Sequence, residues 1–235
     1  MHANSAARIT RPIDYPTSDG KPMAETDHHR HAMNDVIDRL TRHYAERPNI
    51  YVTGNLMLFY VEGDRRRHVS PDAMVVRGVP KRERDYYLLW EEGMGPQFIV
   101  EVTSRTTRTV DVGRKLTLYQ DVLRVPEYFL FDLFGDYLQP RLQGYRLRNG
   151  GYQRLPQRGT DGRLYSQQLQ LELVPGEQTL RMWEPRTQTW LLTTAEHAAL
   201  QTERANHEAT RATLLEAENA RLRAELARLQ TPPQV

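Results

Sequence analysis

Cysteine is absent from the 235 residues, which excludes disulfides, thiolate metal sites and cysteine nucleophiles together. No stretch approaches the run of about 18 apolar residues that a membrane span needs. The opening MHANSAARIT has no apolar core segment, so no secretory leader is expected and a cytoplasmic protein without membrane contact is. An excess of one charge is also missing: 32 Lys and Arg stand against 30 Asp and Glu, a net of +2. Binding to a polyanion would therefore need local basic patches. The sequence has no Walker phosphate loop and no dinucleotide-binding glycine phrase. Ser104 lies outside any Gly-x-Ser-x-Gly elbow, so it is expected to hydrogen-bond at a strand end rather than attack a substrate. What is present, 39% hydrophobic and 26% charged residues, is the composition of an ordinary globular protein. The length suits one packed domain with an appendage.

Prolines 12, 16 and 22 with Gly20, among polar residues, predict an extended arm over residues 1–24. A helix is expected to start near Glu25 to Asp27, with Met33, Val36, Ile37, Leu40 and Tyr44 as its apolar stripe, and to stop before Pro48. Ile50 to Tyr60 reads as one strand, followed by SPDAMVV (Ser70 to Val76) and QFIVEVTS (Gln97 to Ser104) as two more. TVDVGRKLTLYQDV (Thr109 to Val122) reads as a helix, with Val112, Leu116, Tyr119 and Leu123 at three- and four-residue steps. EYFLFD (Glu127 to Asp132) is a further strand. Short strands with glycine turns from Tyr137 to Trp190 predict antiparallel hairpins that extend or cap the sheet. The domain is thus expected over residues 25–193, an α/β or α+β fold with a mixed sheet.

Residues 194–235 form a different kind of segment, rich in Ala, Glu, Arg and Leu and without Gly up to the final TPPQV. Leu215, Leu222 and Leu229 repeat every seven residues, and Ala212, Asn219 and Leu226 fill the other seam position. A parallel homodimeric coiled coil is expected, with Arg211 facing Glu216 and Glu218 facing Arg223 of the second copy.

Asp72, Glu101 and Lys115 each put a charge where an apolar strand or helix needs none. Two carboxylates on neighbouring strands can hold Mg²⁺, which prefers oxygen ligands, and the Val102 carbonyl could supply another. Such an ion stabilises charge on a phosphoryl group and acidifies an attacking water, and Lys115 could offset the remaining charge. The same spacing also permits an ordinary Asp111–Lys115 helix ion pair. Arg105, Arg108 and Arg114 are candidate phosphate contacts; RRRH at Arg65 to His68 and KRER at Lys81 to Arg84 could extend a basic surface or simply be solvated loops. Glu25 is a possible extra metal-facing acid, although a helix start accounts for it equally. His28, His29 and His31 are read as a solvated helix start rather than metal ligands, with contact to a phosphate left open for His28 or His29. Tyr119 is expected to pack in the core, with packing against the lysine stem or contact with a phosphate as alternatives.

These phrases, in this order, resemble the Uma-two family of restriction-endonuclease-like proteins, a branch of the PD-(D/E)XK nuclease superfamily. The resemblance runs from about Tyr51 to Tyr152 and rests on Pro-Asp, Glu-Val-x-Ser, Asp-x-x-x-Lys-x-x-x-Tyr and Glu-Tyr. It implies a nuclease core in which Asp72 and Glu101 bind Mg²⁺, with Mn²⁺ able to substitute. In the wider superfamily the lysine stands two residues after the glutamate, where this chain has Thr103; the resemblance moves it to Lys115. Family members often carry Asp-Gly-Glu before the first helix, where this chain has Asp19-Gly20-Lys21. The expected function is Mg²⁺-dependent endonucleolytic hydrolysis of DNA by a homodimer. The alternative is a non-catalytic nucleic-acid-binding or regulatory module that kept the fold and recruits a partner through its coiled coil.

Overall fold

The computed structural model describes residues 15–18, 26–104 and 107–230, with side chains to 226. The chain folds as two compact units, Met1–Leu191 and Leu192–Val235. Glu25, Arg105 and the Asp19-Gly20-Lys21 phrase lie outside the described residues.

In the first unit, Thr26 caps helix α1 (Asp27–His43) by accepting from the amide of His29, and Asp27 lies at the positive end of its dipole. The expected stripe is buried at Met33, Val36, Leu40 and Tyr44. Arg39 is buried too, where it donates to the Leu191 carbonyl and the Thr179 hydroxyl and pairs with Asp35.

A six-stranded sheet runs in the order β1 (Ile50–Thr53), β4 (Ala73–Arg77), β6 (Phe98–Thr103), β7 (Glu127–Asp132), β8 (Leu142–Arg148), β9 (Gly151–Arg154). β6 and β7 pair in parallel and the other neighbours are antiparallel, so the expected mixed sheet is present. A small sheet orders β3 (His68–Val69), β2 (Leu58–Phe59) and β5 (Tyr87–Leu88), which leads into the short helix α2 (Leu89–Glu92). β10 (Leu164–Ser166), β11 (Leu171–Pro175), β12 (Leu180–Glu184) and β13 (Thr189–Trp190) form a third, antiparallel sheet. The hairpins therefore do both expected things: β8 and β9 extend the main sheet, and β10 to β13 build a separate one.

The single strand expected from Ile50 to Tyr60 is broken. Gly54 passes so close to Asp72 that a Cβ there would lie 1.9 Å from the Asp72 carbonyl oxygen. Asn55 then takes a left-handed φ of 51°, and β2 departs to the small sheet.

Period-two alternation sorts the main sheet's residues onto two faces. Ala73, Val75, Phe98, Val100, Val102, Phe129 and Phe131 join α1 and the third sheet in one core. Met74, Val76, Ile99, Tyr128 and Leu130 join Tyr119 and Leu123 in the other.

The helix after β6 departs most from expectation. Val110–Lys115 and Leu118–Val122 are wound as π-helix, with i→i+5 bonding. The buried face is Asp111 and Tyr119, whereas Val112 of the expected stripe is 40% exposed. Turns wider than 3.6 residues bring positions four apart closer to alignment. Asp111, Lys115 and Tyr119 thus form one row over the sheet.

The second unit is helix α3 (Thr194–Gln230). Thr193 and Glu196 form a reciprocal capping box: the Thr193 hydroxyl accepts from the Glu196 amide, and the Thr193 amide donates to the Glu196 carboxylate at 2.7 Å. Leu215, Leu222 and Leu226 are 54%, 48% and 57% exposed. The side chain of Leu229 lies outside the described ones. Among the described residues no helix is long and apolar enough to cross a membrane.

Candidate metal and phosphoryl-transfer site

Asp72 stands immediately before β4, opposite Glu101 of β6 in the continuation of their ladder. Where β4's own ladder ends, the Asp72 carboxylate substitutes for it, with Oδ2 accepting from the Val102 amide at 2.8 Å. The Asp72 amide donates to Glu101 Oε2 at 3.2 Å. Glu101 falls on the face covered by the π-wound helix, because its neighbours Val100 and Val102 point to the other core.

That helix supplies the remaining contacts. Lys115 Nζ donates to Glu101 Oε2 at 2.9 Å and lies 3.2 Å from Asp111 Oδ1. The Tyr119 hydroxyl donates to Glu101 Oε1 at 2.6 Å. Tyr128 packs edge-on against Tyr119 and donates to the Asp111 carbonyl at 3.0 Å, which fixes the helix to β7. The structure therefore brings Asp72, Glu101, Lys115 and Tyr119 together, and the lysine reaches the glutamate from the helix.

Electrostatics follow from burial. Glu101 is wholly buried, and burial pushes its carboxyl up to about 8; Lys115 pulls it down, while Asp72 and Asp111 push it further up. Burial works against the Lys115 ammonium, but Glu101, Asp111 and Asp72 hold it above its usual range. Burial and the nearby Glu101 charge keep the Tyr119 hydroxyl protonated well beyond its ordinary range.

Sequence reasoning passed over two residues here. Asp111 makes the expected i,i+4 ion pair with Lys115, but it does so buried inside the cluster, and its Oδ1 makes no hydrogen bond among the described residues. His29 is buried while His28 and His31 are exposed. Its Nε2 bonds to the Val102 carbonyl and lies 3.5 Å from Asp72 Oδ2. The signal for it was its place one turn before Met33, on the same stripe of α1.

Other candidates lie elsewhere. Ser104 caps the helix start through Thr107, with its amide donating to the Thr107 hydroxyl at 3.0 Å. Thr103, at the position where the superfamily carries its lysine, is bonded to the Tyr137 hydroxyl. Arg108 is exposed and lies over the Tyr137 ring, and Arg114 is exposed on the same helix. The KRER cluster is committed to structure: Arg82 and Arg84 bind Glu92, and Lys81 donates to the carbonyls of Tyr44 and Ala45. Of the RRRH cluster, Arg66 and Arg67 pair with Asp64.

Among the described residues, no three His, Asp or Glu side chains close on one point as a ready-made cage. The donor chemistry nevertheless fits a divalent cation. Lys115 pairs with Glu101 and Asp111, and Asp72 lies beside Glu101, so with all three carboxylates ionised the cluster carries two negative charges beyond its one ammonium. Oxygen donors around a double negative charge suit Mg²⁺ or Mn²⁺.

A mixed sheet with two carboxylates and a lysine gathered towards the carboxyl ends of its parallel strands defines a restriction-endonuclease-like α/β protein. Sequence comparison is more specific. Residues 9–182 match the Uma2 family, described as "Putative restriction endonuclease", and the chain belongs to that family. A crystal structure of a putative nuclease belonging to DUF820 from Anabaena variabilis is similar, with a TM-score of 0.48 and 15% identity. The match covers 67% of this chain and 83% of that one. No curated protein matches the chain in sequence.

Proposed function

We propose that the protein is a divalent-metal-dependent endonuclease that hydrolyses phosphodiester bonds of DNA. The observation that carries this reading is the Asp72–Glu101–Lys115 cluster, in which buried carboxylates outnumber their ammonium partner. Asp72, Glu101 and the Val102 carbonyl would hold Mg²⁺, or Mn²⁺ in its place. The ion supplies Lewis-acid stabilisation of the phosphoryl group and a more acidic water.

The chain's own residues do the rest. Lys115 stays charged, and it meets negative charge as it develops on the phosphoryl oxygens. Tyr119 donates to Glu101 and fixes the orientation of that carboxylate. Arg108 and Arg114, exposed on the helix that carries Lys115, contact flanking phosphates and so set the register of the backbone rather than its sequence. Arg105 remains a candidate for the same phosphate contacts, and Glu25 for an additional metal-facing acid.

The second unit supports a homodimer. Leu215, Leu222 and Leu226 are exposed at spacings that suit a heptad seam, and the sequence positions of Glu218 and Arg223 would suit pairing between parallel copies. Truncation after Thr193 is expected to halve the mass seen by light scattering; an unchanged mass would exclude this role for the helix.

Nicking of supercoiled plasmid tests the activity. Wild type with Mg²⁺ or Mn²⁺ should nick, while Asp72→Ala and Lys115→Ala should not. Equal cleavage by all three proteins would assign the activity to a contaminant and reject the site.

A further inference from the structure

His29 brings a ring nitrogen to the edge of the proposed cation site. The ring is buried and carried on the first turn of a 17-residue helix. Its Nε2 faces two oxygens at once: the Val102 carbonyl, to which it is bonded, and Asp72 Oδ2 at 3.5 Å. Those are two of the oxygens assigned above to the cation. Ligands about 2.1 Å from an ion and at right angles stand roughly 3 Å apart, so Nε2 and Oδ2 are already near a shared coordination edge. A histidine that only braced the end of β6 would need the carbonyl alone. Nothing in that role requires its nitrogen to face the carboxylate as well.

Chemistry then discriminates between cations. Neutral imidazole is a common ligand for first-row transition ions, whereas Mg²⁺ takes oxygen and keeps its waters. We propose that His29 is a nitrogen ligand to the divalent cation held by Asp72, and that it tunes the site towards Mn²⁺ or another transition ion over Mg²⁺. For Nε2 to face the ion, the ring would give up its bond to the Val102 carbonyl and carry its proton on Nδ1 instead. The inference rests on the metal-site reading above, and it concerns which ions that site prefers.

Pulsed electron paramagnetic resonance of Mn²⁺ bound to the full-length protein tests it. The wild type should show modulation from a directly bound nitrogen, and isotopic labelling of histidine nitrogen alone should change that modulation. His29→Gln, which keeps a hydrogen-bond donor near the Val102 carbonyl, and His29→Ala should lose the modulation. Both should bind Mn²⁺ at least about tenfold more weakly, with a smaller change for Mg²⁺. The labelled wild type decides the question even where a variant fails to fold. Mn²⁺ held by the wild type without nitrogen coupling, or coupling that survives in both variants, overturns the ligand role and leaves the carboxylate site standing. Mn²⁺ binding unaffected by Asp72→Asn would overturn the site reading itself.

Discussion

Two glutamates, Glu101 and Glu127, are completely buried on adjacent parallel strands, yet they differ in every partner. Glu127 opens β7, and the parallel register sets it beside Phe98, three residues before Glu101. Its carboxylate accepts from Arg146 at 2.8 Å, from the Ser166 hydroxyl, and from the amides of Gln167 and Gln168 at 3.0 and 3.1 Å. Every partner is a donor, and the guanidinium balances the charge. The result is a clamp between the main sheet and the third one. Glu101 also has donors, but Asp72 and Asp111 crowd it, and a single lysine pairs with both Glu101 and Asp111. Burial is therefore common to both, and what sets Glu101 apart is neighbouring charge that calls for a balancing proton or cation, the feature on which the proposed site rests.

The largest effect should come from the clamp. Glu127→Ala leaves the Arg146 guanidinium without its carboxylate and should cost about 3–5 kcal/mol in urea unfolding. A cost below about 1 kcal/mol would erase the proposed contrast. Next, Gly54→Val forces a side chain against the Asp72 carbonyl and the Ile37 methyl. It should cost about 1–3 kcal/mol and reduce metal affinity as Asp72 shifts. Full metal affinity in this variant would show that Asp72 is not held by that contact. Tyr119→Phe removes one buried hydrogen bond to Glu101 and should cost about 1 kcal/mol, with weaker metal binding.

An effect of opposite sign sharpens the comparison. The carboxyl of Glu101 is raised from 4.5 to about 8, so the folded state holds a proton that the unfolded state releases. In chelator, the wild type should therefore lose stability relative to Glu101→Gln as pH rises from 4.5 towards 8. Parallel stability profiles for the two proteins would contradict the assigned environment.

Much of this was legible in the sequence. The run FIVEVT marked a buried strand carrying Glu101, and the stripe of α1 marked the buried side of that helix. Lys115 could be placed on a helix after the strand. The π winding could not be read, because apolar spacings of three and four fit an α-helix, and Val112 was accordingly expected inside. Nor could the break at Gly54, which depends on the approach of a chain segment 18 residues away. His29 and Asp111 were each explained locally, one as a helix start and the other as an i,i+4 pair. Only the packing of α1 and the π-wound helix against the same strand end unites them with Glu101. Of the partners of Glu127, Arg146 lies 19 residues downstream on β8, while Ser166, Gln167 and Gln168 lie 39 to 41 residues downstream at and after the end of β10.

The central claim is that Glu101, and not Glu127, belongs to a cation site. Isothermal titration of Mn²⁺ into wild type, Glu101→Gln and Glu127→Gln tests it directly. Binding should be lost in Glu101→Gln and retained in whatever fraction of Glu127→Gln is folded. Equal binding by all three proteins would contradict the claim.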